Sequence, residues 1–377
     1  MLSSPVGTGS LVFDDRTTIG NQSKAAFAQI TVRPFEDEKL SFTLGGRYSN
    51  DDREATRTNE RSLSFATLGG FTPASCAYFE GRRVFAPGTC DPSGAVTAAT
   101  YERNFENFSL SASVAYKVND DFNIYARYAE GYKSGGTSQR SANPINFLNG
   151  FEPEQVTSYE LGAKANLFDR RVNASIALFY MELDAFQSSV QSGSTQGDRD
   201  FLSIDGTEIY GVEFDVNARL TDWLRVGVNG GVLETSVGAE SAEVLRDTGE
   251  TSIELFASKV QSAPDSSGSA YIDVGLPIND DWGFSAYTSV TYQGPTDTAT
   301  NLHDNRTLKT RALIDANVSV KRTYNNGSEL TLRLWAKNLL DKEYDVVSFG
   351  AFSFSGADTL SEYGEPRTYG LTLIGKY

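Results

Sequence analysis

The sequence predicts an all-β protein, an antiparallel transmembrane β-barrel wall of about 13–14 strands. Three observations predict it. Apolar and polar residues alternate with period two in one segment after another, the pattern of a strand with two different faces. Short polar turns and long loops also alternate along the chain, so all short connections fall at one end of the strands and all long ones at the other. Finally, the face opposite the apolar one carries Asp215, Arg219, Asp315, Lys321, Arg333 and Lys337, more charge than a dry sandwich core holds.

Taken in order, Ala25–Arg33 and Lys39–Ser49 pair about the short connection Pro34–Glu38. Leu40, Phe42, Leu44 and Tyr48 share a face, with Ser41, Thr43, Arg47 and Ser49 opposite. A loop from Asn50 to about Arg103 follows. Phe105–Lys117 sets Phe108, Leu110, Ala112, Val114 and Tyr116 against Ser109, Ser111 and Ser113. After the turn Val118–Asp121, Phe122, Ile124, Ala126 and Tyr128 oppose Asn123, Tyr125 and Arg127. The connection Ser134–Pro153 is long and Phe168–Arg171 is short. Beyond it Val172, Ala174, Ile176, Leu178 and Tyr180 repeat the alternation.

A polar loop runs to about Gly206. Glu208–Leu220 and Leu224–Val232 then flank the turn Thr221–Trp223, and an acidic loop reaches about Ser266. Ser269–Leu276 and Trp282–Gln293 flank Pro277–Asp281. Arg311–Arg322 and Glu329–Asn338 flank Tyr324–Gly327, where Asn326-Gly327 predicts a hairpin turn with positive φ angles. Arg367–Tyr377 closes the chain.

The apolar face has the length of a membrane band. Trp282 and Tyr292 are ten residues apart on one face, as are Phe122 and Tyr132. Ten residues cover roughly 33 Å, about 25 Å of membrane normal at a ~40° tilt, which is the separation of the two aromatic girdles of an outer-membrane barrel. These four residues are therefore the expected girdle positions. No run reaches the ~18 apolar residues of a membrane helix. The N-terminal stretch from Met1 to Asp15 has neither the basic segment nor the apolar core of a secretory signal.

The formal net charge of −16 excludes a nucleic-acid partner, which needs a basic face. Much of the acid lies in connections, as at Glu240, Glu243, Asp247, Glu250 and Glu254, where solvated loops accommodate it. Cys76 and Cys90 are the only cysteines, both in one polar stretch, and their separation suits a loop-closing disulfide. The one histidine, His303 beside Asp304, has no nucleophile signature near it, so the expectation is no enzyme, no cofactor and no metal centre. Gly131 to Gly136 precedes no helix and is no phosphate cradle.

Several stretches together resemble the TonB-dependent outer-membrane receptors, in the C-terminal part of their barrel. They are YARYAEGYKSGG (Tyr125–Gly136), FEPEQVTSYELGAKANLFDRR (Phe151–Arg171), IYGVEFDVNARLT (Ile209–Thr221), LWAKNLLDKEY (Leu334–Tyr344) and GEPRTYGLTL (Gly364–Leu373). The resemblance covers about Ser23 to Tyr377. It implies that the chain is one unit, residues 1–377, forming the C-terminal portion of a 22-stranded barrel with a plugged lumen; the plug and the family's energy-coupling box have no counterpart here. Tyr369, Leu371, Leu373 and Tyr377 look like the terminal signal read by the barrel-assembly machinery.

The resemblance further implies a Gram-negative outer-membrane location, contact with outer-membrane lipid, and TonB-coupled uptake of a scarce ligand, a ferric siderophore first among them. Loop residues Tyr101, Phe147, Phe349, Phe352 and Phe354 are candidates to stack on that ligand or to pack loop on loop. Arg140 and Arg306 are candidates to attract an anionic chelate. The competing expectations are a plug-less passive channel and a fragment of a longer receptor without transport of its own.

Overall fold

The computed structural model describes residues 9–65, 97–141, 143–191, 199–245, 250–300, 305–352 and 357–377. Cys76, Cys90, Asp247, His303, Asp304 and Phe354 lie outside them.

In chain order the strands are β1 (Gly9–Val32), β2 (Leu40–Phe65), β3 (Thr97–Asn119) and β4 (Phe122–Lys133), then helix α1 (Pro144–Asn149). They continue with β5 (Glu154–Leu167), β6 (Val172–Asp184), β7 (Phe186–Gln191), β8 (Arg199–Ile204), β9 (Thr207–Arg219) and β10 (Leu224–Ser236). Next come β11 (Ser241–Leu245), β12 (Thr251–Leu255), β13 (Ser266–Pro277), β14 (Trp282–Gln293), β15 (Thr296–Asp297) and β16 (Thr307–Leu308). The chain ends with β17 (Arg311–Thr323), β18 (Glu329–Lys337), β19 (Asp345–Phe352), β20 (Ala357–Tyr363) and β21 (Thr368–Lys376).

Thirteen of these strands form one antiparallel sheet in the order β1-β2-β3-β4-β5-β6-β9-β10-β13-β14-β17-β18-β21. The remaining eight are two-stranded hairpins, β7–β8, β11–β12, β15–β16 and β19–β20, each set in a long connection. Among the described residues β1 and β21 pair on one side only, so the sheet is open.

Register places the two faces as the alternation predicts. Leu332 lies opposite Val320 and Leu373, and Val320 opposite Phe284, a continuous apolar row across four strands. The reverse face is polar and internally bonded. The Tyr271 hydroxyl donates to Asn217 Oδ1 at 2.9 Å, and the Tyr271 and Tyr287 rings stack at 5.9 Å. Lys321 donates to Glu329 at 3.0 Å. A Cβ on Gly227 would come within 2.1 Å of the Tyr271 ring, so this ring packs flat over the glycine opposite it in the register.

Tyr128, Tyr159, Tyr180 and Tyr210 are directly opposed across β4, β5, β6 and β9, forming one row of phenols on the apolar face. Ring centroids are 5.4 Å apart for Tyr128–Tyr159 and 6.4 Å for Tyr159–Tyr180. Acids follow directly: the Tyr128 hydroxyl donates to Glu130, and that of Tyr180 to Glu208 at 2.9 Å. The same change occurs beyond Tyr48 and Phe108, where Asn50, Asp52, Asn104 and Glu106 bond to one another. Apolar surface thus ends at a sharp line, marked by rings with polar tips, on the loop side of the sheet.

Three expectations need correction here. Asn50–Arg103 is not one loop, because β2 continues to Phe65 and β3 begins at Thr97. Beyond Tyr48 both faces of the strand are polar, and the alternation that reveals a strand disappears while its backbone pairing persists. Tyr132 does not join the girdle row. Pairing of β4 with β3 stops at Ala129, where the Glu130 carboxylate accepts from the Leu110 N–H at 2.8 Å, and Tyr132 sits beyond that point. At Tyr324–Ser328 only Gly327 has a positive φ, +82°. The connection is longer than a two-residue hairpin, and Asn326 accepts instead from the Ser328 N–H at 3.1 Å.

Trp282 and Phe122 stand at the short-turn end of the apolar face and Tyr292 at the loop end. Arg322 lies 5.3 Å from the Trp282 ring and 4.9 Å from that of Tyr324. On β21, Tyr369, Leu371 and Leu373 share the exposed apolar face, and Tyr377 is exposed at the end of the chain.

Candidate functional site at the loop end of the sheet

The long connections form two small cores of their own. Leu183, Phe186, Val190, Ile204, Val244, Phe256 and Val260 make one, joining the hairpins β7–β8 and β11–β12. Ala55, Tyr101 and Phe147 make the other, where α1 packs on the upper part of β2 and β3.

Local chemistry builds α1. Asn143 caps it, its side chain accepting from the Ile145 N–H at 2.8 Å, and Pro144 opens the first turn. Gly150 ends it at φ +66°, ψ −160°, a conformation essentially restricted to glycine. A Cβ there would come within 2.3 Å of the Gly136 carbonyl oxygen and 2.6 Å of the Tyr101 ring. Phe151 then pairs with Gly136 through a two-way backbone bridge.

Polar contacts tie this loop to its neighbours. Gln187 Nε2 donates to the carbonyls of Ser134 (3.2 Å) and Glu152 (3.0 Å), and its N–H donates to Glu154 at 2.8 Å. Arg103 pairs with Glu152 at 2.9 Å, and Arg53 donates to Ser134 at 2.8 Å. Asn146 Nδ2 donates to Asp200 Oδ2 at 2.7 Å, joining α1 to β8. The Glu152 bond holds the Arg103 guanidinium above its ordinary pKa.

A cavity of about 220 Å³ lies where the β4–β5 connection, β8 and β11 meet. Asn146, Asn149, Phe151, Asp200, Phe201 and Glu243 stand in its wall. A larger hollow of about 750 Å³ lies against β10, β13 and β14, bordered by Glu213, Asn229, Ser269 and Gln293. Among the described residues no group of His, Cys, Asp and Glu is arranged to hold a metal ion.

The predicted loop residues divide. Tyr101 and Phe147 come together but are 2 % and 0 % exposed, so they pack loop on loop rather than offer a stacking surface. The Arg140 carbonyl accepts from the Arg199 N–H at 2.8 Å. Arg306 donates to the Asn305 carbonyl at 2.6 Å and sits in a separate connection. Phe349 and Phe352 lie on β19. Glu254 is buried rather than solvated, because β12 presents Ile253 and Leu255 outward instead. The sequence did not single out Asn146, Phe151, Asp200 or Phe201. For Asp200 and Phe201 the only local signal is the short alternation at Arg199–Ile204.

The Tyr101 hydroxyl is buried without a hydrogen-bond partner. Tyr101→Phe is therefore expected to keep or raise stability, by up to about 1 kcal/mol at neutral pH. Burial raises the phenol's pKa above 10, with the charge of Arg103 opposing it. The folded state thus holds this proton more tightly than the unfolded chain. The phenol's contribution is complete below pH 10 and is lost as pH rises through the folded value. Thermal melting at pH 8 and pH 11 should show the advantage of Tyr101→Phe growing at the higher pH.

Comparison with known proteins places this architecture. The family model for the TonB dependent receptor-like β-barrel matches residues 2–339. The ferric-pyoverdine 358 receptor of Pseudomonas putida is 26 % identical over 114 residues, 29 % of this chain and 13 % of that protein. The ferric yersiniabactin uptake receptor FyuA of Yersinia pestis superposes with a TM-score of 0.69 at 17 % identity, over 97 % of this chain and 47 % of that one. BauA, the ferric preacinetobactin receptor of Acinetobacter baumannii, gives 0.53 at 14 % identity, over 97 % and 55 %. The chain spans about half the length of these solved structures and a smaller part of the P. putida receptor. With its outward apolar face, polar inner face and loops gathered at one end, the chain belongs to the TonB-dependent receptor β-barrel family.

Proposed function

We propose that the chain is the ligand-gathering wall of a Gram-negative outer-membrane receptor that imports a scarce iron chelate, with import driven by the TonB complex through a plug seated against the polar face. In this reading the outward face meets outer-membrane lipid. Tyr369, Leu371, Leu373 and Tyr377 address the chain to the barrel-assembly machinery. Any ligand meets the folded hairpins before it reaches the lumen.

The observation that carries the reading is the segregation of connections. Among the described residues, short turns occupy one end of the thirteen strands, and four hairpins and α1, with two buried clusters among them, occupy the other. Loops that only joined strands would need no core. The relatives' names supply the class of cargo.

The test is uptake of radioactive iron, offered as ferric chelates, by iron-starved cells with and without the intact gene. Gene-dependent uptake that an uncoupler of the inner membrane abolishes is the expected result. Gene-dependent solute entry that survives the uncoupler would replace this reading with that of a passive channel, to which the polar inner face is also suited.

A further inference from the structure

The small cavity among the loops contains a carboxylate that no described residue neutralises. Asp200 is 6 % exposed, and its side chain accepts one hydrogen bond, from the neutral amide of Asn146 at 2.7 Å. Among the described residues no cation pairs with it. A buried carboxylate ordinarily has a charged partner or several donors, since leaving water is costly for an ion. Glu243, in the same wall, adds a second negative charge. Phe151 and Phe201 are also in the wall, their rings packed 4.9 Å apart at 44°. A carboxylate, amide oxygens and aromatic faces all favour positive charge.

We propose that this cavity binds a cationic group, an alkylammonium or a guanidinium, carried by the receptor's ligand, with Asp200 as counter-charge and Phe151 and Phe201 as flanking faces. At about 220 Å³ it is smaller than the roughly 300–1,000 Å³ pockets that hold whole drug-sized ligands. It therefore takes one arm of a chelate rather than the metal centre. The receptor then selects iron chelates with a free positive charge over uniformly anionic ones. That last step rests on the iron-chelate reading above, whereas the cation site itself does not.

The probe is pentane-1,5-diamine, with pentane-1,5-diol as its neutral counterpart, followed by saturation-transfer NMR on the full chain in outer-membrane vesicles. The diamine should bind and the diol should not. Asp200→Asn should weaken diamine binding by about tenfold or more while leaving the melting temperature unchanged or higher, because asparagine keeps an acceptor for Asn146 and removes a buried charge. Should Asp200→Asn not fold, Phe201→Leu preserves the apolar lining and removes one ring, and it should weaken the diamine several-fold.

Equal binding of diamine and diol would overturn the proposal. So would diamine binding unchanged in whichever of these variants fold. A second arm separates the two readings, using a ferric trihydroxamate with a terminal ammonium and its N-acetylated form. Diamine binding without uptake of any ferric chelate would leave the cation site standing and remove the iron-uptake reading. Uptake of both forms at equal rates, with no diamine binding, would do the reverse.

Discussion

On the outer-membrane reading proposed above, Ile176→Arg is expected to destabilise the sheet by about 2–4 kcal/mol. Ile176 lies on β6, 49 % exposed, opposite Ala163 on β5 and Phe214 on β9. It is four residues from Tyr180 in the phenol row and four from Val172, where the strand begins, so it marks the middle of the apolar band. With water on that side, exchanging a half-exposed isoleucine for arginine would be close to neutral. With hydrocarbon there, the guanidinium must be desolvated or drawn toward a headgroup plane some four residues distant. Urea unfolding in lipid vesicles, followed by the heat-dependent shift in gel mobility, measures the difference. Ser175→Arg, one residue along on the polar face, is the control and should cost far less. Equal effects at the two positions would argue against a lipid-facing surface.

The contrast between those neighbouring residues explains how much of the fold was legible. Where a strand has lipid on one side and a polar lumen on the other, selection writes period two into every residue. β14 could be read from Trp282 to Gln293 without error. The upper part of β2 has no such contrast, so Asn50–Phe65 read as loop although it pairs residue for residue with β1. Asn326-Gly327 announced a turn but not its length. The loop hairpins are each too short for their alternation to stand out.

The cavity was less legible still. Asn146 and Asp200 are 54 residues apart, and neither belongs to a recognisable motif. Phe147 and Tyr101 were singled out as aromatic loop residues; Tyr101 stands instead on the upper part of β3 and Phe147 on α1, and only the docking of α1 shows that they meet. Charge counting also misled at Glu254, because which edge of a hairpin turns inward is a tertiary choice.

Gly150→Ala is expected to unseat α1 and disorganise the loop end while leaving the sheet intact. Holding alanine at φ +66°, ψ −160° costs on the order of 1–3 kcal/mol. The new methyl would also overlap the Gly136 carbonyl oxygen and the Tyr101 ring. Neither can yield easily. The carbonyl belongs to the Gly136–Phe151 bridge, and the ring is buried beneath Phe147 in a three-residue cluster. Relief therefore requires the loop to move, which withdraws Asn146 from Asp200 and opens the cavity wall. The strands paired beneath it do not depend on this contact. Limited proteolysis should accordingly cut the variant between residues 134 and 153 at a dilution of protease that spares the parent. The gel-mobility shift on heating should remain. Loss of that shift along with the protease resistance would mean that the loops, rather than the thirteen paired strands, hold the sheet together.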